Sequence, residues 1–385
     1  MKDGRPSGSV GVETLRSLAA LRGAESAWRA AVDVDPTRTI HVSFPWVRAW
    51  WETYGAGRDL CVILAREGDR VVGVAPFMIE TRRIGGLGVT VLGLIANDVS
   101  PRSDIVLVDR IPDALDAILR AALARRWVYC DLGLVPASFD VIRWCQGRLD
   151  GERLSVRWRH THSTPMIGLE GTWAEYLSNR SGSFRRTLHR AARKVGRPRV
   201  VTFPEDVDDF EEMVQKVLAI SAETWSHRAG TSLAARPKDW DFFERLMREA
   251  HRDARLLVVF LGGYDAPMAF MILVGHHDVL YALKMGFRES FAAAEPGVNL
   301  VAECVQRAFR LGRWRRLDLD CAMERSDWKL RWATADDKVS GYYVFREGVL
   351  ARGIEALYLG KRWATRAVRR GGDRDEAPTP RGRRA

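Results

Sequence analysis

Two carboxylates alternate with two leucines in Leu317-Asp318-Leu319-Asp320. In a strand this spacing sends both acids to one face. Buried carboxylates are costly unless paired or put to use. Desolvation and mutual repulsion would raise one pKa, giving a base able to take a proton from an amine. The competing reading is an ion pair with Arg315, Arg316 or Lys329. Further on, Lys329 and Arg331 stand two apart between Trp328 and Trp332. In an extended segment both cations face one way and Leu330 the other. That arrangement suits a stacked wall for an anionic or planar ligand, or an aromatic belt packing the arginine stem against a sheet. Tyr281 and Lys284 fall on a neighbouring predicted strand and are candidates for the same cleft. Adjacent His276 and His277 would point to opposite faces of a strand, so at most one of them belongs to it. The chain has no HxxEH, Walker, Rossmann, GxSxG or CxxC pattern. This argues against metal, triphosphatase, dehydrogenase and serine-hydrolase chemistry, and no residue is assigned to a metal.

The elements that carry these residues occur twice. Trp127 precedes Asp131 by four residues and Trp314 precedes Asp318 by four, each after an amphipathic helix and inside an apolar strand. Upstream, Cys61 to Glu80 reads as a hairpin turning at Glu67-Gly68-Asp69-Arg70, and Leu257 to Gly275 repeats it around Gly262-Gly263-Tyr264-Asp265. A short apolar strand follows each hairpin, Val89 to Ile95 and Val279 to Met285, before the helix. Two ordered copies of one supersecondary unit predict a duplicated α/β domain. Asp131 in the first copy favours a structural role for Asp318. Asp320 has Gly133 as its counterpart, and the chemical role is assigned to it.

Composition agrees with a two-domain globular chain: 385 residues, 46% hydrophobic and 28% charged. The longest apolar runs are strand-sized, so no transmembrane segment is expected, and the start lacks a signal-like hydrophobic stretch. Five cysteines without a paired motif read as buried free thiols, with the cytoplasm as the expected location. The net charge of +11 is local. Residues 180–199 hold eight basic groups and no acid, and residues 361–385 hold nine basic and three acidic groups. The second run reads as a disordered basic tail. The first has a helical period, with Phe184, Leu188, Ala191, Ala192 and Val195 on one face, Ser183 as N-cap, and Gly196 and Pro198 as the stop. It is either a solvated cationic face or a patch, including Arg185 and Arg186, that meets phosphates of a nucleotide-linked substrate or RNA.

These pieces together resemble the CelD/FemAB-like branch of the GNAT acyltransferase superfamily. The resemblance rests on the aromatic helix Phe44-Pro45-Trp46 through Tyr54-Gly55 and on the hairpin Val62 to Phe77. It continues through the Arg-rich helix from Ser183, the segment Trp225-Ser226-His227-Arg228-Ala229-Gly230, Pro296-Gly297, and Asp327-Trp328-Lys329-Leu330-Arg331-Trp332. It covers roughly residues 40–350, with Trp328 where relatives usually have Tyr. It implies two tandem GNAT-like modules, each a mixed, mostly antiparallel sheet flanked by helices. The expected division is an N-terminal extension (1–39), a first module (40–160), a catalytic second module (161–350) with a basic helix at 183–195, and a C-terminal helix and tail (351–385). It also implies two splayed parallel strands, Leu280 to Met285 and Arg316 to Asp320, and a helix opening at Pro296-Gly297-Val298-Asn299 to face a donor's pyrophosphate. Lys329 would contact substrate or phosphate. The implied reaction is transfer of an acyl group from acyl-CoA to an amine on a small-molecule, nucleotide-linked or lipid-linked acceptor. Envelope polysaccharide or specialised-metabolite synthesis would be the setting. The usual "R/Q-x-x-G-x-G/A" pyrophosphate loop is missing from Arg288 to Asn299. Fem-type relatives that lack it take aminoacyl-tRNA, the alternative donor and partner. A GNAT-like module that binds without turnover is the third reading.

Overall fold

The computed structural model describes residues 10–34, 39–108, 112–136, 148–149, 152–196, 198–322 and 327–372. The first half runs β1 (Gly11–Leu15), α1 (Leu18–Gly23), α2 (Glu25–Asp33), α3 (Phe44–Tyr54), β2 (Asp59–Glu67), β3 (Arg70–Ile84), β4 (Leu87–Leu94), β5 (Val106–Leu107), α4 (Pro112–Leu123) and β6 (Tyr129–Pro136). A two-strand ribbon, β7 (Arg148–Leu149) and β8 (Glu152–Arg153), leads into β9 (Ser155–Gly168). The second half runs α5 (Trp173–Ser178), α6 (Gly182–Val195), β10 (Val200–Phe203), α7 (Phe210–Ala222), α8 (Trp225–Arg228), α9 (Pro237–Arg252), β11 (Leu256–Leu261), β12 (Ala269–His276) and β13 (Val279–Phe287). It ends with α10 (Pro296–Leu311), β14 (Arg316–Asp318), α11 (Asp327–Trp332), β15 (Ala335–Phe345) and α12 (Val349–Gly372).

One mixed sheet spans both halves in the order β1-β2-β3-β4-β6-β15-β9-β14-β13-β12-β11-β10, with β5 against β3. The duplication is plain in this order. Each half contributes three antiparallel steps and then one parallel pair, β4 with β6 and β13 with β14. Gly93 lies opposite Asp131 in one pair and Tyr281 opposite Asp318 in the other. Both strands then turn away in the same manner. Asp131 Oδ1 accepts from the Gly133 N–H at 3.1 Å, and Asp318 Oδ1 accepts from the Asp320 N–H at 2.6 Å. Gly133 has φ 63° and Asp320 has φ 65°. Asp320 thus holds the left-handed conformation that its counterpart meets with glycine. The expected strand to Asp320 is therefore shorter than read from sequence and ends at Asp318.

The next strand of each half is exchanged. β9 leaves the first half to pair with β14, and β15 returns from the second half to pair with β6, while β9 and β15 pair with each other. The division anticipated at residue 160 falls inside β9, and β1, within the anticipated extension, is paired to β2. The helices join the halves as well. Trp46 meets Phe242 edge-on at 5.2 Å, and buried Glu249 accepts from Arg29 at 3.0 Å and from Arg48 at 2.5 Å. The main apolar core accordingly includes residues of both halves.

The basic helix α6 is capped by Ser181, whose Oγ accepts from the Phe184 N–H at 3.2 Å, in place of the expected Ser183. It stops at Gly196, where φ is 79°. Cys61, Cys130, Cys304 and Cys321 are buried free thiols, whereas Cys145 and the tail from residue 373 lie outside the described residues. Among the described residues no helix is long and apolar enough to cross a membrane.

The second Trp of the repeat imposes its own constraint. A Cβ on Gly275 would sit 2.6 Å from Trp314 Nε1, so the indole packs directly on the backbone of β12. Gly275→Ala is expected to cost about 1–3 kcal/mol by overpacking, read from denaturant unfolding. Gly297→Ala is the control: its Cβ would meet Met285 Cε at an ordinary 3.6 Å, and stability should hold or rise slightly.

Candidate active site

The parallel pair β13–β14 is hydrogen-bonded only from Val279–Arg316 to Tyr281–Asp318. Beyond that point β14 has ended, and β13 runs on to Phe287 with β12 as its neighbour on one side. The wedge between them receives a loop from the first half. Asn97 Oδ1 accepts from the N–H groups of Val99 (3.1 Å) and Ser100 (2.9 Å), and Trp46 Nε1 donates to Ser100 Oγ at 2.7 Å. Ser103 N–H donates to the Leu134 carbonyl and Leu134 N–H to that of Pro101. So braced, the loop inserts Arg102 between the two acids. Its Nη1 lies 2.8 Å from Asp318 Oδ2 and its Nη2 3.4 Å from Asp320 Oδ1, above the Tyr281 ring.

The two carboxylates differ in access. The Asp318 side chain is 3% exposed and that of Asp320 40%. Asp318 is a buried ion-pair partner, joined to Arg102 and not to Arg315, Arg316 or Lys329. Asp320 is the acid a substrate can reach. Burial pushes its carboxyl up, but Arg102, Lys329 and Lys284 outweigh that effect and hold it below the usual range. This corrects the expectation of a carboxyl raised by mutual repulsion: three cations surround the pair, and both acids share one guanidinium. Two lysines beside Asp320 are perturbed in the same direction. Burial lowers the Lys284 and Lys329 ammonium pKa values, against the pull of Asp320. Lys284 Nζ lies 4.9 Å from the Phe243 ring centroid, and Lys329 Nζ donates to the Cys321 carbonyl at 3.0 Å.

Residues 327–332 form a helical turn, not an extended segment, so Lys329 and Arg331 diverge. Arg331 reaches toward Thr187 Oγ1 at 3.4 Å, and buried Trp332 meets Phe184 edge-on at 4.9 Å. A cavity of about 530 Å³ opens beside the free stretch of β13, bounded by α6, α7, the Thr224–Leu233 segment, the first turn of α10, and α11. Lys284, Trp328, Arg331, Trp332, Gly297 and Val298 line it. Pro296 is buried at the start of α10, and Asn299 Nδ2 donates to the Glu295 carbonyl at 3.4 Å. Tyr281, Asp318 and Asp320 line a small adjoining pocket with Arg102 and His41.

Two sequence expectations fall elsewhere. Arg185 and Arg186 are exposed and do not line the cavity; Phe184, Thr187 and Leu188 are what α6 contributes. His276 and His277 line a separate pocket with Arg29 and Arg255, their rings 4.2 Å apart, because His277 sits in the turn with φ 49° and not in the strand. Burial pushes His276 down to about 3, so it is neutral. The basic helix is also partly neutralised: Glu295, just before α10, pairs with Lys194 (2.5 Å) and Arg190 (3.5 Å). Arg102, Asp239 and Glu295 were not singled out from the sequence. No motif surrounds Arg102, and its partner lies 216 residues away.

Residues 182–330 match the family model for the acetyltransferase (GNAT) domain. No curated protein matches the chain in sequence. Among solved structures, FemX is similar with a TM-score of 0.57 at 11% identity, covering 82% of this chain and 95% of its own. The C-terminal domain of a putative lysylphosphatidylglycerol synthetase from Agrobacterium fabrum gives 0.53 at 12%, covering 86% and 93%. A conserved protein of unknown function from Bacteroides thetaiotaomicron gives 0.51 at 11%, covering 88% and 100%. Identities this low speak to the fold, and they agree with the fused, duplicated sheet. Residues 182–330 thus match a GNAT acetyltransferase domain, and the fold of the chain is similar to that of FemX.

Proposed function

We propose that this chain is an N-acyltransferase that moves an acyl group from acyl-CoA to an amine by direct attack in a ternary complex. The observation that carries the reading is the open edge of β13. From Ala282 to Phe287 it has no strand on the β14 side among the described residues, and it leads from Lys284 and Asp320 toward the first turn of α10. A pantetheine arm laid along that edge would exchange hydrogen bonds with strand backbone. Its thioester would arrive at the two charged groups. The amine nitrogen attacks the thioester carbonyl, the C–S bond breaks, and the departing thiolate takes a proton. The amine proton passes to the Asp320 carboxylate or to the deprotonated form of Lys284, which the lowering of its pKa by burial favours. Placement of donor and acceptor beside each other supplies much of the rate. The 16-residue helix α10 offers its N-terminal amides to the pyrophosphate, with Arg190 and Lys194 beside it.

One observation favours a second donor. The Glu295 carboxylate already occupies the cations next to the α10 start, whereas Arg185, Arg186 and Arg193 are exposed on the same helix. A Fem-type reading gives these arginines to charged tRNA. Mass spectrometry of the purified protein incubated with acyl-CoA or with charged tRNA, each with a panel of amine acceptors, separates the two by product mass. The acceptor would be small, or linked to a nucleotide or lipid.

Asp320→Asn should cut turnover about 100-fold, roughly 2.7 kcal/mol of transition-state stabilisation, with a loss of stability smaller than that of Asp318→Asn, because the lowered carboxyl of Asp320 contributes to the fold at neutral pH. Undiminished turnover would remove Asp320 from the chemistry. Asp318→Asn should instead destabilise the fold by about 3 kcal/mol, because it strands a buried guanidinium; chemical denaturation checks this.

Lys284→Met gives a pH test. The folded-state pKa of Lys284 lies below the unfolded value of 10.5. Below its folded pKa the lysine is charged in both states, and the fold bears the full cost of that buried charge. The cost declines as pH rises and vanishes above 10.5. The variant should therefore melt higher than the parent at pH 7, lose the advantage toward pH 10.5, and be impaired in turnover.

For the Fem-type donor, tRNA binding should weaken steeply with salt and weaken again in Arg185→Ala/Arg186→Ala/Arg193→Ala. Equal binding by the triple variant at low salt would sink that reading.

A further inference from the structure

The cavity beside β13 is larger than an acetyl group requires, and each of its hydroxyl side chains already holds a hydrogen bond within the protein. Six hydroxyl side chains line it: Thr187, Ser221, Thr224, Ser226, Thr231 and Ser232. Each is spent within the protein. Thr187 Oγ1 donates to the Ser183 carbonyl (3.1 Å), Thr224 Oγ1 to that of Ser221 (2.9 Å) and Thr231 Oγ1 to that of Ser226 (3.3 Å). Ser226 Oγ shares a hydrogen bond with Thr224 Oγ1 (2.8 Å), Ser221 Oγ accepts from the Ala234 N–H (3.2 Å), and Ser232 Oγ pairs with His227 Nδ1 (3.1 Å). These bonds cap α8 and brace the segment after it. A polar ligand group placed against this wall would have to share hydroxyls that already hold a hydrogen bond within the protein, and it would recover only part of its lost hydration.

The rest of the lining is apolar, including Phe184, Leu188, Phe270, Met285, Phe287 and Trp332. Two tryptophans, Trp225 and Trp328, also face the cavity while remaining 59% and 37% exposed. Exposed indoles on an apolar pocket mark a surface that a hydrophobic ligand covers. The charged lining groups are Asp239, Lys284 and Arg331, and Asp239 is held by the Tyr54 hydroxyl at 2.9 Å.

We propose that the acyl group this site takes is a long apolar chain, a fatty acyl group in place of acetyl or a polar aminoacyl group. It lies between α6, α11 and the Trp225–Leu233 segment with its carboxyl end toward Lys284. The assignment of the chain to a donor rests on the acyltransfer reading above. The cavity's preference for an apolar chain rests on the wall itself.

Isothermal titration of the full chain with two probe series, CoA esters and free carboxylates from two to sixteen carbons, tests this. Affinity is expected to rise about four-fold per methylene, the ratio that corresponds to about 0.8 kcal/mol per buried CH₂, until the chain fills the cavity. The rise should be blunted in Trp225→Ala/Trp328→Ala, two exposed positions whose loss leaves the core packed, while the melting temperature without ligand stays as in the parent. Flat affinity across both series overturns the proposal; if CoA esters still bind, the acyl-CoA reading survives it. Graded carboxylate binding with no CoA ester bound supports the apolar chain site and removes CoA as the donor. A slope unchanged in the double variant overturns the placement of the chain against the two indoles.

Discussion

The guanidinium of Arg102 is the pivot of the molecule. It is buried, it belongs to the first half, and both of its acidic partners belong to the second. Burying such a charge is unfavourable unless it is paired and hydrogen-bonded. That cost fixes several things at once. The Asn97–Asp104 loop must be rigid enough to deliver the side chain, so its turns are closed by Asn97, by Trp46 and by the Leu134 backbone. Asp318 must sit at the end of β14 with its carboxylate against the guanidinium. Asp320 must turn back toward the same cation, which its left-handed backbone allows. The wedge between β13 and β14 is therefore held open by charge as well as by strand geometry.

The first half contains the same turn with a different settlement. Asp131 is gripped by Arg82 at 2.6 Å and by Arg159 at 2.9 Å, and glycine fills the position of Asp320. A second carboxylate is thus present where strand β13 and helix α11 also bring two lysines beside an apolar cavity. Local backbone strain at a non-glycine residue tends to be retained where it serves a site. The asymmetry between two otherwise matching turns is the feature on which the proposal that the second copy handles substrate rests.

Much of this was legible in the sequence because it is local. Hairpins, the Trp-to-Asp strands, the aromatic helix α3 and the opening of α10 all follow from periodicity and turn chemistry, and each recurs in order. The short Asp327–Trp332 helix was misread because six residues with alternating cations carry too little pattern to separate a turn of helix from a strand. The pKa direction at Asp320 was misread because its sign depends on Arg102, which no spacing connects to it. Arg185 and Arg186 looked like ligand contacts because composition reports charge and not the direction in which a helix presents it. Strand exchange was invisible for a similar reason: β9 and β15 have ordinary strand patterns, and nothing in either says which half it will join.

That exchange bears on how the chain reaches its native state. The central strand β15 is made almost last, yet it pairs with β6 and β9, so the first half cannot finish its sheet from its own residues. During synthesis, β6 waits with an unpaired edge until the segment ending at Phe345 has left the ribosome. Such long-range closure is slow, and open apolar edges invite association with other chains in the meantime. The duplicated halves are consequently one cooperative folding unit, and the gene that encodes them is constrained as a whole: a truncation beyond the last catalytic candidate would still expose the heart of the first half.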